Sequence, residues 1–534
     1  MHPGAHAAAD PDRPALVVEP PGTVVTYGGL DRSSLRLANL FHSRGLGVAD
    51  AVALWLDNTP EFLETAWAAQ RSGLVYTPLS PQFTAAEAAY VLADCGARAI
   101  VTSHDRRGAA PAAVAGLPEL RTRLMAGGTV DGFEPYEPLV SAQPPDRRHP
   151  ALEGHAMLYS SGTTGRPKGV RRRRAQVALG TPGFDTTLGL GRLLYGYGDD
   201  TVLLSPGPLY HAAPLWFTMA VQRAGGTAVV MRHFDPLAFL GLIERHRVTH
   251  VLMVPTMFVR LLKLAAGERD RFDLSSLRYC IHGAAPCPPA VKERMIRWWG
   301  PILHEYYAGT ERNGFVACDS AAWLAHRGTV GRAVGGPVVH IVGEDGSELP
   351  AGAIGDVYLE GGPDFEYHND PDKTRAAHHP DGWTTLGDLG YLDDDGFLYL
   401  TDRRGYTIIS GGVNVYPREV EDVLVGHDAV LDAAVFGVPH EELGEQVKAV
   451  VQPVEPAEAG PDLEAALIAW CRRELAPFKC PRSVDFVTAL PRSAAGKLRK
   501  GALRARYWPP ADEAGTSGGH RPSPTDSGRP AGAS

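Results

Sequence analysis

The chain has 534 residues, 44% of them hydrophobic and 21% charged, with a net charge of −9. That composition is globular and mildly acidic; it excludes wholesale disorder, a collagen-like repeat and a globally basic nucleic-acid binder. No apolar run reaches the ~18 residues of a bilayer span, no basic-then-apolar leader is present, and the six cysteines form no C-x-x-C pair. The expectation is a cytoplasmic protein with free thiols, no membrane span and no nucleic-acid partner.

In chain order, residues 51–56 and 99–102 read as short buried strands, with amphipathic helices over 60–72 and 84–95. Residues 126–150 read as a polar, Pro-rich connection. Strands are predicted again at 201–205, 227–231 and 250–254. This alternation predicts an α/β protein whose sheets are mostly parallel and covered on both faces. From about residue 330 the texture changes to short strands cut by Gly and Asp, as in HIVGEDG, GDVYLE and GFLYLTD, which predicts a small β-rich unit. A boundary is expected at 402–406. Beyond it, 430–436 and 447–454 read as strands. Residues 463–475 read as a helix, because Leu463, Ala466, Leu467, Trp470, Cys471 and Leu475 fall on one face. Residues 509–534 hold almost no apolar side chain larger than Ala or Pro and are expected to be disordered.

The strongest local signal is the run Tyr159 to Val170, YSSGTTGRPKGV. Gly162, Gly165 and Gly169 let the backbone approach a ligand. Ser160, Ser161, Thr163 and Thr164 supply hydroxyls, successive backbone N–H groups can form an anion nest, and Lys168 adds a positive charge. Together they suit a polyphosphate. The run is not a Walker A loop, since Gly169 rather than Ser or Thr follows Lys168.

SSGTTGRPKG resembles the phosphate loop of the adenylate-forming superfamily of acyl- and aryl-CoA synthetases, luciferases and nonribosomal-peptide adenylation domains. Further motifs agree in order: LYHAAP at 209–214, HGAAP at 282–286, YYAGTE at 306–311, TLGDLGYLD at 385–393, DRRGYTIISGGVNVYP at 402–417 and PRSAAGKLRK at 491–500. The resemblance implies a large AMP-binding body over 1–401, with mostly parallel sheets and a β-rich subdomain. It further implies a hinge at 402–406 and a small mobile α+β lid over 407–508. It implies ATP and Mg²⁺ as cofactors and CoA as co-substrate, in a monomer or homodimer.

Carried over residue by residue, Ser160, Ser161, Gly162, Thr163, Thr164, Gly165 and Lys168 would hold the β- and γ-phosphates. Gly283, Ala284 and Ala285 would wall the adenine, on which Tyr307 stacks. Thr310 would contact the α-phosphate and Glu311 would bind Mg²⁺. Asp388 would accept from the ribose hydroxyls, and Arg403 would contact the nucleotide. Gly411 and Gly412 would approach the thiol's arm. His211 would stand between the ATP and acid sites, and Lys497 would be the catalytic lysine. Gly405 occupies the pivot position where relatives have Asp or Lys. No Asp is present to hold an α-amine, so an amino-acid substrate is not expected.

Trp216, Met257, Phe258 and His282 are candidates for an acid pocket, with core packing as the alternative. Their size suits a fatty or aryl acid. The run Arg171–Arg174 is read as a solvated face or as a patch that steers ATP or CoA. The expected activity is ATP-dependent activation of a carboxylic acid as its acyl-adenylate, with transfer to the CoA thiol. The alternative is an adenylate-forming enzyme with another acceptor: a carrier-protein thiol, an amine or a small inorganic nucleophile.

Overall fold

The structure is a computed structural model that describes residues 2–160, 167–172, 175–403, 405–410, 413–492 and 498–508. The expected tail, most of the phosphate loop, Arg173, Arg174, Gly411, Gly412 and Lys497 lie outside the described residues.

Runs such as AVVM at 228–231 and VLM at 251–253, apolar at every position, can be satisfied only with both faces covered. They form the centre of a nine-stranded sheet. Six strands run parallel, in the order Pro14–Glu19, Thr227–Met231, Val202–Ser205, His250–Met253, Tyr279–His282 and Leu303–Tyr307. Antiparallel strands close both edges. A second sheet of six parallel strands contains Ala51–Trp55, Val75–Pro78 and Ala97–Ser103. One core joins the two sheets: Leu16 and Val230 of the first and Leu54 and Val101 of the second pack with Phe41, Phe62, Trp67 and Leu215 of the intervening helices.

The predicted helices are present as Pro60–Gln70 and Ala85–Asp94, the latter opened by a Thr84/Glu87 capping box. The stretch 126–150 is more than a connection. It adds the strand Glu134–Pro135 to the sheet edge and a helix Tyr136–Ser141 that buries Tyr136 and Val140. Two apolar side chains in six residues are too few to register as a period.

After residue 330 the chain forms a four-stranded antiparallel sheet of Val338–Val342, Gly355–Glu360, Thr384–Leu392 and Leu398–Arg403. The next strand, Ile408–Ser410, already belongs to another sheet. There Val430–His440 and Gly444–Pro453 form a long hairpin, Ser483–Phe486 pairs in parallel, and the helices Pro417–Val425 and Pro461–Glu474 cover one face. This C-terminal unit touches the body through Val425 and Leu431, through Lys263 Nζ donating to the Asp428 carbonyl at 2.8 Å, and through Arg418 donating to the Leu400 carbonyl at 2.8 Å.

Two buried charge clusters make the packing testable. Arg223 is 3% exposed; it donates to both Glu153 carboxylate oxygens at 3.0 and 2.7 Å, and its Nε lies 3.0 Å from Asp185. Arg223→Met strands the buried Glu153 carboxylate, and a loss of about 3–5 kcal/mol is expected, read as a lowered denaturation midpoint. In the C-terminal unit, burial pushes the Asp422 carboxyl up to about 7; Arg418 and Lys500 oppose the shift, and Glu421 and Glu305 add to it. The folded chain therefore binds this proton more tightly than the unfolded chain. Stability from Asp422 is full below its unfolded value of 3.8 and is lost as pH rises towards about 7. Denaturation at about pH 5 and about pH 8 is expected to show this decline in wild type and a flatter response in Asp422→Asn.

Candidate active site

The site grows from the carboxyl ends of two neighbouring parallel strands, Tyr279–His282 and Leu303–Tyr307, the edge where open α/β sheets hold ligands. Just beyond the first strand, a Cβ on Gly283 would stand 2.6 Å from the Tyr306 carbonyl, so only glycine fits. Ala284 follows in the left-handed region at φ +66° and is exposed, with Ala285 half-buried beside it. Gly283 thus packs against Tyr306, the residue before Tyr307.

Tyr307 and Arg403 converge on Asp388, which is 8% exposed. The Tyr307 hydroxyl donates to Asp388 Oδ2 at 2.8 Å and Arg403 Nε donates to Oδ1 at 2.9 Å. Asp388 and Arg403 are direct partners in the antiparallel register, so the β-pairing itself sets this contact. Burial and the Asp388 charge push the Tyr307 phenol well up, and the same carboxylate raises Arg403. Tyr307 therefore stays neutral and Arg403 stays charged.

Glu311 is 8% exposed and accepts from the Tyr367 hydroxyl at 2.8 Å. Its position depends on Gly309, where a Cβ would lie 2.7 Å from Glu311 Oε2 and 2.7 Å from Leu386. Tyr367 is on a strand paired with Lys168–Arg171, and Lys168 is opposite Ser160 on a third strand, so the two ends of the phosphate loop meet as a closed stem. Lys168 Nζ is 2.5 Å from Asp370 Oδ2, and this hydrogen bond holds the Asp370 carboxyl below its usual range. Lys373 Nζ stands 3.9 Å from the centre of the Tyr367 ring; burial and then the Lys168 charge lower its pKa. Lys373 thus feels the charges of Lys168, Glu311 and Asp370 together. Among the described residues no three ligating side chains cluster as a metal cage. A single buried carboxylate beside a phosphate loop fits a Mg²⁺ ion shared with phosphate oxygens.

Tyr367, Asp370 and Lys373 were not singled out from the sequence. The available signal was the helix start N-D-P-D-K-T, in which Asp370 caps Pro371–Ala376 and Pro371 takes the first turn.

His211 is the N-cap residue of the helix Ala212–Ala224, and its ring lies 4.1 Å from that of Tyr210. Burial raises the Tyr210 phenol, and the Ser80 hydroxyl and then the charge of Arg499, on the C-terminal segment, oppose it. That segment is pinned at its base. Arg492 and Leu498 form an antiparallel bridge, Arg499 N–H donates to the Pro491 carbonyl at 2.8 Å, and Arg492 grips Asp432 through Nε and Nη2 at 2.5 and 2.6 Å.

The four candidates for the acid pocket do not gather. Trp216 lines a cavity with Thr310 and Arg312. Met257, Phe258 and His282 are 8%, 0% and 0% exposed and pack inward, Phe258 edge-on to the His282 ring at 5.1 Å. Met257 and Phe258 belong to a core cluster, as the core-packing alternative expects. The helix Pro255–Leu262 buries its apolar face against the sheet, and side-chain size does not say which way a residue points. Burial and the neighbouring Lys292 lower the His282 pKa. Of the arginine run, Arg171 is exposed with Nε 3.8 Å from Glu366, whereas Arg172 lines the cavity.

The parallel sheets, the antiparallel sheet after them and the C-terminal unit have the adenylate-forming fold. The chain belongs to the AMP-binding enzyme family, matching it over residues 4–363, and matches the AMP-binding enzyme C-terminal domain over 419–497. It is 33% identical over 496 residues to a feruloyl-CoA synthase of Amycolatopsis sp, covering 92% of this chain and 96% of that one. It is 31% identical over 504 residues to a long-chain-fatty-acid–CoA ligase of Mycobacterium tuberculosis, covering 92% and 95%. The amide bond synthetase of Marinactinospora thermotolerans superposes with a TM-score of 0.80 at 29% identity, covering 95% and 99%.

Gly309→Ala is expected to displace Glu311 and lower acyl-adenylate formation at least about tenfold, the scale of one lost charge-assisted contact. The thermal midpoint is expected to stay near the wild-type value. Unchanged activity would mean that Gly309 does not set the Glu311 position.

Proposed function

We propose that this chain is an ATP-dependent, AMP-forming acyl-CoA ligase of the cytoplasm that activates a fatty or aryl carboxylic acid. The observation that carries the reading is the coincidence of Glu311, Lys168, Lys373 and the Tyr307–Asp388–Arg403 group at one sheet edge. The named activities of the two curated relatives support CoA as acceptor. The six cysteines, all buried and free, support the reducing compartment. Among the described residues no helix is long and apolar enough to cross a membrane.

A carboxylate is a weak electrophile and is repelled by a triphosphate, so the protein's task is placement and charge neutralisation. In this reading Gly283, Ala284 and Ala285 wall the adenine against Tyr307, and Asp388 exchanges a Tyr307 or Arg403 contact for the ribose hydroxyls. Lys168 and residues 160–165 take the β- and γ-phosphates, and Lys373 adds a second charge beside them. Glu311 is the carboxylate that would hold Mg²⁺, which when bound supplies further neutralisation of phosphate charge. Thr310 faces the α-phosphate. The substrate carboxylate oxygen bonds to the α-phosphorus as the bond to pyrophosphate breaks. Lys497, on the loop pinned by Arg492 and Arg499, stabilises the developing charge.

The second half-reaction needs the thiol to reach the acyl carbon. We assign 1–401 as the body, 407–508 as the lid and 402–406 as the hinge. The change of sheet between Arg403 and Ile408 supports this division. Gly405, with no side chain to brake rotation, supports a freely turning joint. Turning presents Gly411 and Gly412 to the CoA arm and withdraws Lys497. The thiol sulfur then bonds to the acyl carbon and AMP leaves.

Lys497→Ala is expected to lose at least about 10²-fold in adenylation, the scale of one preorganised donor. Thioester formation from supplied acyl-adenylate should fall far less. Equal loss in both half-reactions would contradict the role given to Lys497.

A further inference from the structure

Lys292, the fourth residue of the helix Pro289–Trp299, is 0% exposed. Its Nζ donates to Glu305 Oε2 at 2.6 Å and lies 4.8 Å from the centre of the Trp323 ring. Glu305 is 4% exposed and stands opposite His282 in the parallel register, two residues before Tyr307 and on the same face of the sheet. His282 Nε2 is 3.9 Å from the same Glu305 oxygen, beyond hydrogen-bond reach, so Lys292 makes the charge-assisted contact.

This contact closes a loop around the segment given above to the adenine. After the strand Tyr279–His282, Gly283 packs against the Tyr306 carbonyl. The chain then runs outward over Ala284, Ala285 and Pro286 and is buried again at Cys287 and Pro288. Lys292 brings the far end of that excursion back to Glu305, the neighbour of Tyr306. The segment 283–288 is therefore held at both ends against the strand that carries Tyr307. At one end a glycine meets a carbonyl, and at the other a directed ion pair spans the two elements. A buried ion pair adds little net stability, because the desolvation of both charges offsets their attraction. A short charge-assisted hydrogen bond does fix distance and direction, which apolar contacts leave loose. Resting on the ligase reading above, we propose that Lys292 is a positioning residue for the nucleotide: through Glu305 it sets the separation between the segment 283–285 and the Tyr307 ring, and so the width of the adenine slot.

The test is calorimetric binding of MgATP and, separately, of magnesium pyrophosphate, neither of which requires an acid. Lys292→Met/Glu305→Met replaces the pair by apolar chains of similar length, and its denaturation midpoint is expected to stay near that of wild type. Its Kd for MgATP is expected to rise about fivefold or more, the scale of one weakened contact. Its Kd for pyrophosphate, which has no base to place in the slot, is expected to stay unchanged. Lys292→Arg keeps a charged donor to Glu305 and is expected to recover part of the MgATP affinity, even though its larger head group lowers the midpoint. Affinity and stability then rank the two variants in opposite order, which a merely structural role would not produce. A folded double variant that binds MgATP as wild type does would overturn the assignment. So would Kd values for both ligands that rise together as the midpoint falls, and so would failure of both variants to fold. A wild type that binds no MgATP would overturn the ligase reading itself.

Discussion

One buried carboxylate, Asp388, ties together the three parts of the molecule that have to meet around a nucleotide. It sits on the third strand of the antiparallel sheet, takes a hydrogen bond from Tyr307 at the carboxyl end of the large parallel sheet, and takes another from Arg403 on the last strand before the C-terminal unit. A carboxylate at 8% exposure survives only if its charge is met. Tyr307 and Arg403 meet it here, and each is a group the proposed nucleotide would contact. The site is thus prebuilt with protein donors standing where ligand hydroxyls would come.

The same economy holds at the phosphate end. Glu311 is fixed by the absence of a side chain at Gly309 and by the Tyr367 hydroxyl, and Tyr367 is itself fixed by pairing with the strand that carries Lys168. A residue from the β-rich part of the chain therefore ties a carboxylate in the turn after the strand Leu303–Tyr307 to the stem of the phosphate loop. Lys373 on the next helix brings a cation whose charge burial and Lys168 both disfavour. Lys168 is paired with Asp370, and the Glu311 and Asp370 charges favour the Lys373 ammonium; in the reading proposed here a polyphosphate would add to that neutralisation.

Much of this was legible in the sequence for a physical reason. Strands covered on both faces are apolar at every position, and loops that touch phosphate need Gly, Ser, Thr and Lys close together, so both leave dense local patterns. The small helix Tyr136–Ser141 left none, because two buried side chains make no period. Tyr367 and Lys373 were invisible because their importance comes from pairing across some 200 residues of sequence. Met257 and Phe258 stay between two readings in the sequence for the opposite reason: a large apolar side chain is equally at home in a core or a pocket.

The central claim is that this sheet edge activates a carboxylic acid with ATP and passes it to CoA. Its most direct test is to follow acid-dependent ATP–pyrophosphate exchange with the wild-type enzyme, and then AMP release with and without CoA. Exchange is expected to require an acid, and AMP release is expected to rise sharply when CoA is added. Exchange with no stimulation by CoA would contradict the acceptor, and no exchange with any acid would contradict the activity itself.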